Sequence, residues 1–266
     1  MNTLTPYDSS TTDAQWALLS KLLPESKSGK GKRGRPALNL RLVIDAILYV
    51  VKTGCQWRML PHEFGNWNSI YYYFKRFRQN GVWHEVEAAL TKLERKRQER
   101  NPEPSAACAD SQSVKTVTQG IDVGFDGGKK IDGRKRHLLV DSLGLILSVF
   151  VTAANFSERK GLQYLLLDYF ADGVKRLRHI WVDGGYSGLP LQQWVANLKI
   201  TWKIVIEVVG KEGKGFTPVK RRWVVERTFS WINNFRRNSK DYEVLTCNSE
   251  AIIMVSMIAV LLRRLA

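Results

Sequence analysis

Cysteine is scarce in this chain. Cys55, Cys108 and Cys247 are far apart and odd in number, which excludes both a disulfide framework and a paired-cysteine zinc pattern. They are expected to stay reduced thiols, with Cys108 and Cys247 packed as small hydrophobes. Long apolar runs are absent too. The longest, Ala251 to Leu262, stops against Arg263 and Arg264, short of the ~18 residues that a membrane span needs. The opening Met-Asn-Thr-Leu-Thr-Pro has neither a basic leader nor an apolar core, so a cytoplasmic location is expected. Acid is in short supply, with 25 Asp and Glu against 41 Lys and Arg and a net charge of +16, a balance that points to a polyanionic partner. Disorder is excluded by a hydrophobic share of 44%. At ~150 residues per domain, a chain of 266 residues makes one or two domains.

The N-terminal part reads as helical. Segment 13–23 sets Trp16, Leu19, Leu22 and Leu23 at helical spacing and stops at Pro24; a second helix from Asn39 carries Leu42, Val43, Ala46, Ile47, Val50 and Val51 on one stripe and meets Gly54. Between them, SKSGKGKRGRP at 26–36 carries Lys32, Arg33 and Arg35 without an acid. It reads as a mobile basic arm or as a solvated loop. From Asn68 to Gln79, Tyr71, Tyr72, Tyr73, Phe74 and Phe77 interleave with Lys75, Arg76 and Arg78. Short helices joined by a Gly- or Pro-containing turn, the later one basic and aromatic, suit a helix-turn-helix that presents Tyr72, Lys75 and Arg76 to a DNA groove; a plain bundle with the aromatics as core suits the same pattern. A helix over 82–100 and the Pro102/Pro104 linker close a helical unit, 1–104.

Beyond Pro104 strands take over. The pattern predicts strands at 106–117, 135–140, 145–152, 179–183 and 202–209, and helices at 161–170, 189–198, 218–238 and 250–265. This order gives an α/β unit, 105–266, built on a mixed five-stranded sheet with flanking helices. Two aspartates stand where apolar strands yield to small or polar residues: Asp110 in CADSQS and Asp183 in WVDGGY. A carboxylate at a strand end is costly to desolvate unless a divalent ion offsets it, although a turn role fits either residue taken singly. In the helix 218–238, Arg222, Glu226, Ser230, Asn233 and Arg237 fall within about 40° of one line, so Glu226 sits on a basic, polar face. A surface pair with Arg222 fits Glu226 equally well. The segment Lys129, Lys130, Arg134, Lys135, Arg136 concentrates positive charge beside these acids and reads as a phosphate contact or as a solvated hairpin. His137 reads as a hydrogen-bonded histidine rather than a metal ligand. Asp122, Asp126, Asp132, Asp141 and Asp168 read as solvated or structural.

The stretches ADSQSVK, DGGKKIDGRKRHLLVDSLGLILSV, WVDGGYSG, RRWVVERTFSWINNFRRNSKDYE and, N-terminally, TGCQWRMLPHEFGNWNSIYYYFKRF together resemble DDE transposases of bacterial insertion sequences, in particular the IS-five family of the IS-four-like group. The resemblance implies an RNase H-like catalytic domain in which Asp110, Asp183 and Glu226 hold two Mg²⁺ ions, with Mn²⁺ as a substitute. It also implies that Arg222 occupies the place of an arginine four residues before the glutamate. The wider group's Tyr-x2-Arg-x3-Glu-x6-Lys signature would put Tyr at Val219 and Lys at Asn233, and neither is present. Arg237, one turn beyond Asn233, is expected to take the missing phosphate contact. The stretch between Asp183 and Glu226 is too short for a large insertion domain.

The expected function is binding of an element's inverted-repeat ends, followed by metal-dependent cleavage and strand transfer, by a homodimer on double-stranded DNA. Two other functions fit part of the pattern. One is a DNA-binding regulator working through the N-terminal half; the other is a nuclease or resolvase of the same fold that cuts without joining.

Overall fold

Strand β1 (Ala106–Lys115) organises the molecule because its small alternating residues serve two cores. Ala107 and Ala109 point to one face of the sheet, whereas Cys108 points to the other, the period of two that a strand buried on both faces requires. In the computed structural model, residues 7–25, 38–117, 121–173, 175–186, 191, 193–197, 202–209 and 223–266 are described. The basic arm, with Lys32, Arg33 and Arg35, and Arg222 lie outside them.

Helices α1 (Asp13–Leu19), α2 (Leu40–Thr53), α3 (Trp67–Gln79) and α4 (Val82–Arg97) precede the sheet. Thr12 and Gln15 form a capping box at α1, and the Asn39 side chain caps α2. Gly54 ends α2 at φ 74°, where a side chain would also meet Arg236 at 3.1 Å, so that residue serves both the left-handed stop and a close approach. The connection from α2 to α3, residues 54–66, holds two 3₁₀ turns. It is longer than the three or four residues of a helix-turn-helix and is packed by aromatics: Trp57 lies 5.1 Å from both Tyr71 and Phe74.

The sheet has six strands: β1, β2 (Gly124–Asp126), β3 (Ile131–Asp141), β4 (Ile146–Ala153), β5 (His179–Val182) and β6 (Val205–Val208). β1 pairs antiparallel with β3 from Ala107↔Asp141 to Lys115↔Gly133, and parallel with β5 from Ala106↔His179 to Cys108↔Trp181. β4 and the short β2 share the far edge of β3, and β6 extends the parallel side. The order β4-β3-β1-β5-β6, antiparallel on one side of β1 and parallel on the other, is an RNase H-like sheet. β2 was not expected from the sequence; three residues among glycines carry no readable alternation.

Helix α5 (Glu158–Tyr169) and the helical residues 191 and 193–197 cover one face through Leu162, Leu165, Leu166 and Leu191. The other face carries α6 (Trp223–Asn233) and α7 (Thr246–Leu265), and the core there runs without a break into α1–α4. α7 is twenty residues long and, by length and composition alone, apolar enough to cross a membrane. The apolar run read from the sequence missed its first turn, where Asn248 and Ser249 are buried. It is instead the central helix of the shared core, packed against α2, α4 and β4.

The helix expected over 218–238 stops at Asn233. Past it, Phe235 turns inward and a 3₁₀ turn spans Arg236–Asn238. The Asn238 amide donates to the Ser256 hydroxyl of α7 at 2.7 Å, and Asp241 forms a bridge with Thr116 at the end of β1. These tertiary bonds replace the last turns of helix that the apolar periodicity alone would continue.

Candidate active site

Asp110 lies within β1, two residues past the last β1–β5 pair, Cys108↔Trp181, and Asp183 directly follows the end of β5, two residues past the same pair. Asp110 follows the phase of Cys108, on the face where α6 is packed. The carboxyl ends of parallel strands are where open α/β sheets leave a crevice for ligands.

Local hydrogen bonds fix each carboxylate. The Ser111 backbone N–H donates to Asp110 Oδ1 at 2.7 Å, and the Gly185 N–H donates to Asp183 Oδ1 at 2.9 Å within the 3₁₀ turn Gly184–Tyr186. Tyr186 is 1% exposed and packs in the core beneath α5. Its phenol is pushed well above the usual tyrosine range, first by burial and then by the negative fields of Asp110, Glu158 and Asp183. One buried ring thus feels three carboxylates from three elements.

Glu158, the first residue of α5, is the member that sequence reasoning did not single out. Its Oε1 accepts from the Ser111 hydroxyl at 2.7 Å and lies 3.7 Å from Lys129 Nζ. Lys129 Nζ also donates to the Ser111 carbonyl at 3.0 Å. Lys129 therefore touches the acid cluster itself. Lys130 is exposed at φ 52° in the turn before β3.

Glu226 occupies the exposed edge of α6 with Ser230 and Asn233. The opposite edge is held by stacking: the Arg227 guanidinium lies 4.3 Å from the Trp223 ring and 4.7 Å from the Trp231 ring, and Arg264 lies 4.2 Å from Trp231. Val224, Val225 and Phe229 are buried toward the sheet, so α6 lies over the face that carries Asp110. Among the described residues, no three His, Cys, Asp or Glu side chains converge closely enough to hold a metal ion.

Several expected DNA contacts are corrected by burial. Arg134 is 0% exposed and donates to the Asp241 carboxylate at 3.1 Å and to the carbonyls of Glu243, Ile121 and Val244. Arg136, 2% exposed, donates to the carbonyls of Asn238 and Lys240, and burial lowers its pKa to about 10. Lys135 is buried against Asp126 at 3.4 Å and the Phe156 carbonyl at 3.1 Å. Arg237 is buried as well: it pairs with Glu243 at 2.7 Å and donates to the Cys55 carbonyl at 3.1 Å. Because α6 has already ended, Arg237 does not share the face of Glu226. These four cations bind the molecule's own carbonyls and carboxylates, which leaves none of them facing solvent.

On α3, Ile70, Phe74 and Phe77 are buried, whereas Tyr72 and Lys75 are exposed and Arg76 is half-buried. His137 sits in the core, with Nε2 3.0 Å from the Thr152 hydroxyl. Its pKa is pushed down to about 3, first by burial and then by Lys135 and Lys129. Burial, the largest single influence on Asp126, raises its pKa, but the bonds from Ser113 and the Lys129 N–H together with Lys135 outweigh it and bring it down to about 2. Asp141 is bonded to Arg95 and accepts from the Leu143 and Leu145 N–H groups, so it is structural.

Comparison with known proteins follows the same division of the chain. Residues 11–87 match the transposase family of IS4/5 type designated DUF4096, and residues 101–262 match the transposase DDE domain. An uncharacterized 16.2 kDa protein of insertion element IS402 from Burkholderia cepacia is 34% identical over 116 residues, 42% of this chain and 77% of that protein. The uncharacterized protein y4sN of Sinorhizobium fredii is 35% identical over 30% of this chain and 62% of its own length. A transposase ascribed to insertion sequence element IS402 of Burkholderia cepacia is 28% identical over 40% of this chain, and the match spans about half, 51%, of that protein.

Proposed function

Since the chain belongs to the DDE-domain transposases of IS4/5 type, we propose that it cuts DNA at the ends of an insertion sequence and joins them to a target, with Asp110, Asp183 and Glu226 as its catalytic carboxylates. The observation that supports this assignment is the parallel pairing of β1 and β5, whose last pair, Cys108↔Trp181, lies two residues before Asp110 and two residues before Asp183. Divalent metal dependence is general in this family. Carboxylate oxygens are the donor type suited to Mg²⁺ or Mn²⁺, and among the described residues no three such side chains converge to hold the ion. A Cβ at Gly185 would stand 2.6 Å from Glu158 Oε2 and 3.1 Å from Asp183 Oδ1, so glycine there lets the two carboxylates approach.

When bound, a pair of divalent ions supplies an activated water or 3′-hydroxyl and offsets charge at the phosphorus and the leaving oxygen. The protein's own part is positioning. The Ser111 and Gly185 N–H groups hold Asp110 and Asp183 at fixed rotations. Glu226 approaches from α6. The net charge of +16 draws the polyanion to a site lined with acids, and the exposed Tyr72 and Lys75 with Arg76 on α3 offer groove contacts. Two ends must be joined in one event, so two copies act together on the DNA.

The test is cleavage of a labelled element-end duplex. Asp110→Asn, Asp183→Asn and Glu226→Gln should each lower cleavage by at least ~100-fold while keeping the melting temperature and end binding. Excess chelator should stop wild-type cleavage. Full activity in any one variant removes that residue from the assignment. Hydrolysis without joined products identifies a nuclease of the same fold instead.

A further inference from the structure

The open side of α3 differs in composition from those of α4, α5 and α6. At about 100° per residue, Asn68, Tyr72, Lys75 and Gln79 fall within roughly 60° of one another, and all four are exposed. Ile70, Phe74 and Phe77 fill the opposite, buried side, so the stripe faces away from the core. No Asp or Glu occurs in α3. A solvated helix face usually mixes the two signs, and α4, α5 and α6 do so with Glu85, Asp168 and Glu226 exposed. In the α3 stripe the uncharged members are carboxamides and a tyrosine, and Tyr72 keeps 59% of its surface in solvent. Cations flank it. At the start of α3 the exposed Arg58 holds its guanidinium 5.5 Å from the Trp67 ring, and the half-buried Arg76 lies about 80° round from Asn68.

Resting on the reading of the chain as a transposase that must find its element ends, we propose that α3 lies in the major groove of that DNA and reads adenine through Asn68 and Gln79, one at each end of the stripe. A carboxamide offers a donor and an acceptor together, and adenine presents N6–H₂ and N7 side by side in that groove. The two side chains stand about three turns apart, ~16 Å along the helix, a span of roughly five steps of B-DNA at ~3.4 Å each. Between them, Lys75 donates to the N7 and O6 acceptors of guanine and the Tyr72 hydroxyl donates to a phosphate. Arg58 and Arg76 hold phosphates beside the groove and carry no sequence information. Charge complementarity selects this occupant: Lys75, Arg76 and Arg78 on one helix without an acid suit a polyanion, whereas a protein surface of mixed sign leaves them partly unmatched.

The experiment is selection of duplexes from a random-sequence library by the full chain at fixed salt, with the enriched sequences compared between wild type and variants. Wild type should enrich a motif with A·T pairs near both ends. Asn68→Ala should lose the preference at one of those pairs and Gln79→Ala at the other, each by ~10–100-fold, with the melting temperature kept because both residues are exposed. Arg76→Ala should weaken all sequences alike and flatten the logarithmic salt dependence by about 0.9. Loss at G·C pairs in the two carboxamide variants overturns the adenine assignment. A motif that both variants keep overturns the proposal and leaves the catalytic reading intact. A wild-type chain that enriches no sequence overturns it too, and if that chain also fails to cut an element-end duplex, the underlying reading falls with it.

Discussion

A cation's role depends on whether its charge reaches water, and Arg237 illustrates how much follows from that. Its guanidinium is paired with Glu243, capped by the Cys55 carbonyl and stacked 5.5 Å from the Tyr242 ring. Removing one partner of a buried pair leaves the other charge uncompensated, at a cost of roughly 3–5 kcal/mol. Arg237→Ala should therefore lower stability in urea by about that amount, with any loss of DNA cleavage tracking the loss of folded protein. Arg236→Ala, at an exposed neighbour, should stay within about 0.5 kcal/mol. Equal, small effects in both would contradict the buried assignment. Arg134, Lys135 and Arg136 carry the same lesson: a basic run reads identically whether it faces DNA or folds inward onto carbonyls. What sequence does record is a change of texture, around Asp110 inside β1 and Asp183 just past β5, which is why those two could be singled out as candidates. Glu158 was not, because its link to them runs through the sheet order and the Ser111 hydroxyl, and neither leaves a mark at fixed spacing.

At the scale of elements, periodicity served where one face is apolar and failed where tertiary bonds end an element. α2 and α3 follow their stripes closely, whereas α6 stops where Asn238, Arg237 and Asp241 find partners outside the helix. The β1–β3 pair shows a constraint of another kind. At Gly133 a Cβ would stand 2.0 Å from the Val114 carbonyl oxygen and 2.8 Å from the Thr116 nitrogen. Both are backbone atoms of the paired strand, so relief requires opening the ladder beside Lys115↔Gly133. Overpacking of a yielding core costs about 1–3 kcal/mol; against unyielding backbone the upper end is the expectation. Gly133→Ala should reduce the melting temperature by several degrees, and Gly127→Ala, where a Cβ meets nothing within 4 Å, should leave it unchanged. Similar melting temperatures for the two variants would mean that β3 tolerates displacement at this point.

For the whole molecule, the decisive feature is that α1–α4 share one core with α6, α7 and one face of the sheet. The Arg95–Asp141 pair, buried at both ends, ties α4 to the end of β3. Unfolding should therefore be a single transition, with tryptophan fluorescence and far-ultraviolet circular dichroism coinciding. The same interface sets its pH dependence. Glu87 on α4 is buried beside Thr91, whose hydroxyl donates to it at 2.9 Å. Burial first, with Asp141 adding, raises its pKa to about 8 against the opposing Thr91 bond. Between the unfolded value near 4.5 and about 8, the unfolded chain releases this proton and the folded chain keeps it, so stability falls as pH rises through that window. His137 acts in the opposite sense. It stays neutral in the fold down to about 3, while the unfolded chain takes up a proton below 6.5, so stability falls as pH drops from 6.5 toward 3. Glu87→Gln keeps the Thr91 acceptor and removes the ionisation. It should raise stability at pH 8 by roughly 1–3 kcal/mol and flatten the decline between pH 5 and 8, leaving the acid limb set by His137 in place. Urea titrations at pH 5, 6.5 and 8 measure both slopes. An unchanged alkaline slope in Glu87→Gln would mean that the carboxyl reaches water, and that α4 and α7 do not exclude it in the way their shared core requires.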